Sequence, residues 1–98
     1  MSSVAAAAID ATEVIAVTAS VRRFLEDNFL LEARAASLDD SDSFIEHQVL
    51  DSTGFMELVA WLEETYAFKV ADDEMLPENL DSLTAVAAYV ARKRAAAA

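Results

Sequence analysis

The chain has no cysteine. Disulfides and cysteine nucleophiles are therefore excluded, and the composition suits a reducing, cytoplasmic setting. It has one glycine and one proline among 98 residues, set among many alanines, leucines and glutamates. That balance favours helices over strands and leaves no glycine-rich phosphate loop. The one histidine, His47, lies in polar surroundings with no second histidine to pair with. It reads as a surface side chain rather than a catalytic base, and an enzyme is the class the residues support least. No apolar run reaches the roughly 18 residues of a membrane span. The N-terminus has no basic segment, and Asp10 interrupts its alanines, so no secretory signal is expected.

Bases are scarce, 7 against 18 acids, giving a net charge of −11. The imbalance is local. Residues 39–81 hold 13 acids and one base, Lys69, so that stretch carries −12 and the rest of the chain +1. Such a field repels nucleic acid and anionic lipid and draws basic protein surfaces toward it. A chain of this length suits one small domain with a modest core.

Residues 1–11 are small and nearly featureless and are expected to fray. Thr12 is placed to cap a first helix whose stripe is Val14, Val17, Val21 and Phe24 or Leu25, with Asn28 as its stop. Phe29 to Leu31 should turn back onto the core. Residues 32–49 form a long connection with a polar turn at Asp39-Asp40-Ser41-Asp42-Ser43. This turn is not a calcium loop, which needs glycine at its sixth position and glutamate at its twelfth. Counting from Asp40 reaches Ile45 and Asp51, and counting from Asp39 reaches Phe44 and Leu50. Phe44, Ile45, Val49 and Leu50 are expected to pin the loop, and no metal site is assigned.

A second helix is predicted from about Ser52 to Tyr66. Phe55, Val59, Leu62 and Tyr66 share its buried face, flanked by Leu58. Glu57, Ala60 and Glu64 share another, with Thr53 above and Glu63 at its edge. Ser52 suits an N-cap, although a full capping box would need Glu or Gln at Phe55. Trp61 falls opposite Ser52, to pack on the long loop or lie half exposed. Ala67–Ala71 should be extended, with Phe68 and Val70 inward. Short helical turns follow over Asp72–Leu80, with Pro77 at a first-turn position. Ser82 should cap a last helix that buries Leu83, Val86 and Val90. Arg92, Lys93 and Arg94 close it where cations suit its negative end, and residues 95–98 form a tail. The expected fold is all-α, a small four-helix bundle of three longer helices and one short one, with a long loop between the first two.

Leu50-Asp51-Ser52-Thr53-Gly54-Phe55-Met56-Glu57-Leu58-Val59, then Leu62-Glu63-Glu64-Thr65-Tyr66, resembles the acyl and peptidyl carrier protein family, which has an Asp-Ser-Leu signature at the start of its second helix. The likeness continues through Phe68-Lys69-Val70, Asp72-Asp73-Glu74, Pro77 to Leu83 and Ala87-Ala88-Tyr89-Val90, and covers residues 12–94 as one carrier domain. Asp81-Ser82-Leu83 copies the signature more literally, but no acidic helix follows it and too little chain remains. The resemblance implies that Ser52 takes 4′-phosphopantetheine from coenzyme A, with Asp51 as the acid before it. It implies a transferase that installs the arm, and a thiol on the arm that holds an acyl or aminoacyl group as a thioester. Thr53, Met56 and Ala60 would form the apolar centre of a docking face, and Glu57, Glu63 and Glu64 its acids. Two departures stand out: Thr53 in place of Leu, and Gln48 where glycine is common. The expected function is a monomeric, stand-alone cytoplasmic carrier charged by an adenylating ligase, toward the aminoacyl, peptidyl or natural-product kind. The alternative is an acidic helical adaptor with no prosthetic group.

Overall fold

Val17, Val21 and Leu25 recur at steps of four, which puts them on one side of a helix, and all three are buried. They define α1, Ala11–Asn28. The computed structural model describes residues 11–29 and 38–97, the last by its backbone alone. The expectations for residues 1–10, 30–37 and 98 lie outside the described residues. Helix α2 spans Ser52–Tyr66, α3 Pro77–Leu80 and α4 Leu83–Ala97, with a 3-10 turn at Asp72–Glu74 ahead of α3. No strand occurs among the described residues. No described helix is long and apolar enough to cross a membrane.

Helix α1 packs most extensively against α4. The two run antiparallel: Glu13 at the start of α1 meets Arg94 near the end of α4 at 2.7 Å. The Arg94 guanidinium also sits 5.5 Å from the centre of the Tyr66 ring, so one side chain joins α1, α2 and α4. Helix α4 buries Leu83, Val86, Ala87, Tyr89, Val90 and Ala91. Ser82 caps it as expected, its Oγ accepting the Ala85 N–H at 3.0 Å. The helix continues to Ala97, past the boundary expected at residue 94. Thr12 lies inside α1, which is already helical at Ala11, and so does not cap it. Asn28 does end α1.

The long loop is fixed at both ends of its described part. Arg22 donates to the Leu38 carbonyl at 2.8 Å and to Asp40 at 2.7 Å. Asp81 grips the other end: its carbonyl accepts the Phe44 N–H at 2.9 Å, and its carboxylate accepts the Ile45 N–H at 3.0 Å and the Ser43 hydroxyl. Phe44, Val49 and Leu50 are buried as expected. Ile45 is not; it is 55% exposed. Residues 43–49 form a tight turn in which His47 N–H bonds Ser43 O and Val49 N–H bonds Phe44 O. Once the turn aims Phe44 inward, its neighbour Ile45 faces out.

Helix α2 ends at Ala67, which holds a left-handed conformation (φ 58°, ψ 48°) while its N–H bonds the Glu63 carbonyl. An L-residue with a Cβ is strained there, and glycine is not. Ala67→Gly should therefore raise the unfolding free energy by about 1 kcal/mol, measured by urea melts. An unchanged or lower midpoint would show that the cap is not strained.

Candidate functional site

At the mouth of α2 the capping role falls to Asp51, not to Ser52. Asp51 has extended backbone (φ −101°, ψ −171°), and its Oδ1 accepts the Gly54 N–H at 2.8 Å. Its carbonyl accepts the Phe55 N–H at 2.9 Å, the first bond of the helix. Gly54 lets the chain close this tightly, since a Cβ there would come within 3.0 Å of Leu50 Cδ2. Ser52 is then the first helical residue. It is exposed, and its hydroxyl has no hydrogen-bond partner among the described residues. A helix leaves the amides of its first turn without internal acceptors and turns its positive end toward them. An anion attached at the Ser52 oxygen would meet both. The residues present therefore fit a phosphodiester at this point.

The second Asp-Ser pair has the opposite arrangement. Ser82 is half-buried and its oxygen is occupied in capping α4, while Asp81 holds the loop. Identical dipeptides thus end up with one serine open to solvent and one bound into the fold.

Below Ser52, Thr53, Met56, Glu57, Ala60 and Glu64 are all exposed, Met56 by 57%. Thr53, Glu57, Ala60 and Glu64 follow one another at helical steps and form a continuous stripe. Glu63 is separated from them in role. It is half-buried, its Oε2 accepts the Val70 N–H at 2.9 Å, and Lys69 lies 4.0 Å from its Oε1. This carboxylate ties the extended link to α2. Within α2 the fully buried leucines are Leu58 and Leu62, with Val59 beside them, while Phe55 and Tyr66 are half-buried. Leu58 is thus central to the buried face rather than flanking it. Trp61 is half-buried, one of the two outcomes expected, and stacks on Phe24 of α1 with ring centres 4.7 Å apart.

One turn from Ser52, an apolar cleft of about 150 Å³ opens between Ile45, Phe55 and Val59 on one side and Met75, Leu76, Pro77 and Leu80 on the other. Ile45, expected to pin the loop to the core, instead lines this cleft. Apolar character alone does not distinguish a side chain lining a cleft from one in the core. The polar turn at 39–42 is closed by its own acids: Asp42 Oδ2 accepts the Asp39 N–H at 2.9 Å. His47 is exposed and lies 3.6 Å from Asp42.

The 3-10 turn ahead of α3 supplies one strongly perturbed acid. Glu74 Oε1 accepts bonds from the Lys93 ammonium at 2.9 Å, the Ala71 N–H at 3.1 Å and the Tyr89 hydroxyl at 2.9 Å. Led by Lys93, these donors hold its carboxyl down to about 2 from an ordinary 4.5. Burial and the adjacent Glu74 carboxylate push the Tyr89 phenol well above its usual range.

This geometry, an exposed serine opening an acidic helix in an all-helical fold, suits a carrier protein, a class that transports groups on an attached arm and is not itself catalytic. The family described as "Phosphopantetheine attachment site" matches residues 30–90, and the chain belongs to it. Its prosthetic group is 4′-phosphopantetheine. Membership displaces the adaptor reading. The chain is also 43% identical over 49 residues to a D-alanyl carrier protein of Abiotrophia defectiva, a match covering 50% of this chain and 61% of that protein. No solved structure gives a significant match.

The Glu74 contacts set a pH dependence. Because the folded pKa is depressed, their stabilisation is complete above 4.5 and is lost as the pH falls toward about 2. Across that window the stability advantage of the parent chain over Glu74→Gln should shrink to near zero in thermal melts. A constant difference would show that the carboxylate is not held in its charged form.

Proposed function

We propose that Ser52 is the phosphopantetheine attachment residue and that the chain carries an aminoacyl group loaded by an adenylating ligase. The observation that carries the first part is the exposed Ser52 hydroxyl, left open because Asp51 does the capping. When attached, the arm supplies a thiol that holds the cargo as a thioester. The chain itself contributes no nucleophile toward the cargo. The first-turn amides that Asp51 leaves free would be available to the phosphate, and Asp51 keeps the helix mouth in register. The aminoacyl assignment is supported by the likeness to a D-alanyl carrier protein over half of this chain. We read the protein as a cytoplasmic monomer; its lack of cysteine suits a reducing compartment.

Partners dock on the stripe below Ser52: a phosphopantetheinyl transferase first, then the ligase and downstream transferases. Thr53, Met56 and Ala60 offer a small apolar centre, and Glu57 and Glu64 offer charge to lysines and arginines. Glu63, being tied to Val70, contributes field more than direct contact. Such docking is fast and weak, and salt weakens it further.

Incubation with coenzyme A and a broad-specificity transferase should add one phosphopantetheine, read by intact mass. Ser52→Ala should abolish the addition and Ser82→Ala should leave it. Label persisting on Ser52→Ala rules out the assignment. Glu57→Lys should slow loading by the ligase about 3- to 10-fold at low ionic strength while the helical circular dichroism is unchanged. Equal loading rates would remove the docking stripe from the account.

A further inference from the structure

Between Ala71 and Asn79 no side chain is fully buried, yet this segment supplies Met75, Leu76 and Pro77 to one wall of the apolar cleft. Apolar burial anchors it at its far end, where Leu80 enters the core. Met75 is half-buried against the core, and polar bonds fasten the rest. Tyr89 and Lys93 stand four residues apart on α4 and so project from one face, and both donate to the same Glu74 oxygen. The Glu74 carbonyl accepts Asn79 Nδ2 at 2.9 Å, and Asn79 Oδ1 in turn accepts Arg92 at 2.9 Å. One carboxylate thus joins the 3-10 turn to a buried helix, with its own backbone completing the brace. The contact is reachable from solvent, with Lys93 26% and Glu74 33% exposed.

We propose that Glu74 is the latch of a movable cleft wall: clasped by Tyr89 and Lys93, it holds residues 71–79 against α4, and its release opens the cleft beside Ser52. Charge screening weakens the clasp. A lysine or arginine of a docked protein, competing with Lys93 for the carboxylate, does the same. The lowered pKa of Glu74 is the expected companion of such a clasp. The inference stands on the wall's own bonds and does not depend on which serine is modified.

Amide hydrogen exchange on the full chain tests it at low and high salt. The reporters are the wall amides of Met75, Asn79, Leu80 and Asp81, which are bonded within the wall. In the parent chain their exchange should quicken with salt. In Glu74→Gln it should be roughly three- to tenfold faster already at low salt and no longer respond to salt. Exchange across Leu58–Leu62 of α2 should stay the same in both. Unchanged wall exchange in Glu74→Gln overturns the proposal, as does an equal acceleration of α2, which would mean global loosening. Lys93→Gln, which keeps the carboxylate and removes its cation, guards against a folding defect in the first variant. It should show the same quickened, salt-insensitive wall, and parental behaviour in it would equally overturn the latch.

Discussion

The grip of Asp81 on the long loop is the contact on which the remainder of the structure rests. Its carbonyl and carboxylate receive the Phe44 and Ile45 amides and the Ser43 hydroxyl, across a sequence separation of nearly forty residues. That hold sets the turn, the turn drives Phe44 into the core, and Val49 and Leu50 follow it inward at the entrance to α2. The position of the helix mouth, and of Ser52 with it, is therefore determined from the α3–α4 junction. A charge-assisted acceptor with several donors can hold a loop that has little secondary structure of its own. The same hold leaves Ile45 outside, where it becomes part of the cleft.

Two kinds of carboxylate stand out in the acidic half. Asp40, Asp42, Asp51, Glu63, Glu74 and Asp81 are each bonded within the fold, to a backbone amide, a cation or a hydroxyl. Glu57 and Glu64 stand exposed on the stripe below Ser52. The first kind closes turns and caps; the second leaves negative charge exposed on the surface below Ser52. A dense acidic region is thus compatible with a stable small domain because about half of its charges accept bonds from donors within the fold.

Much of this was legible in the residues. The valine and leucine spacing of α1, the stop at Asn28, the cap at Ser82 and the first-turn place of Pro77 are local matters, governed by neighbours three or four residues away. The exposed stripe of Thr53, Glu57, Ala60 and Glu64 follows from the same periodicity. Three things were not legible. Which member of Asp51-Ser52 caps depends on backbone dihedrals that either residue could adopt. Ile45 has the composition of a core residue and the place of a cleft residue. Glu63 belongs by spacing to the edge of the acidic face, yet a bond to Val70 across the helix end withdraws it.

By itself the sequence determined an all-helical domain, an acidic central region and a serine at a helix mouth, because periodicity, charge and cap chemistry act over a few residues. Tertiary structure alone decided that Ile45 lines a cleft rather than the core, and that Glu74 meets Tyr89 and Lys93. Those outcomes depend on which elements are brought together through the core, and no local pattern carries that information.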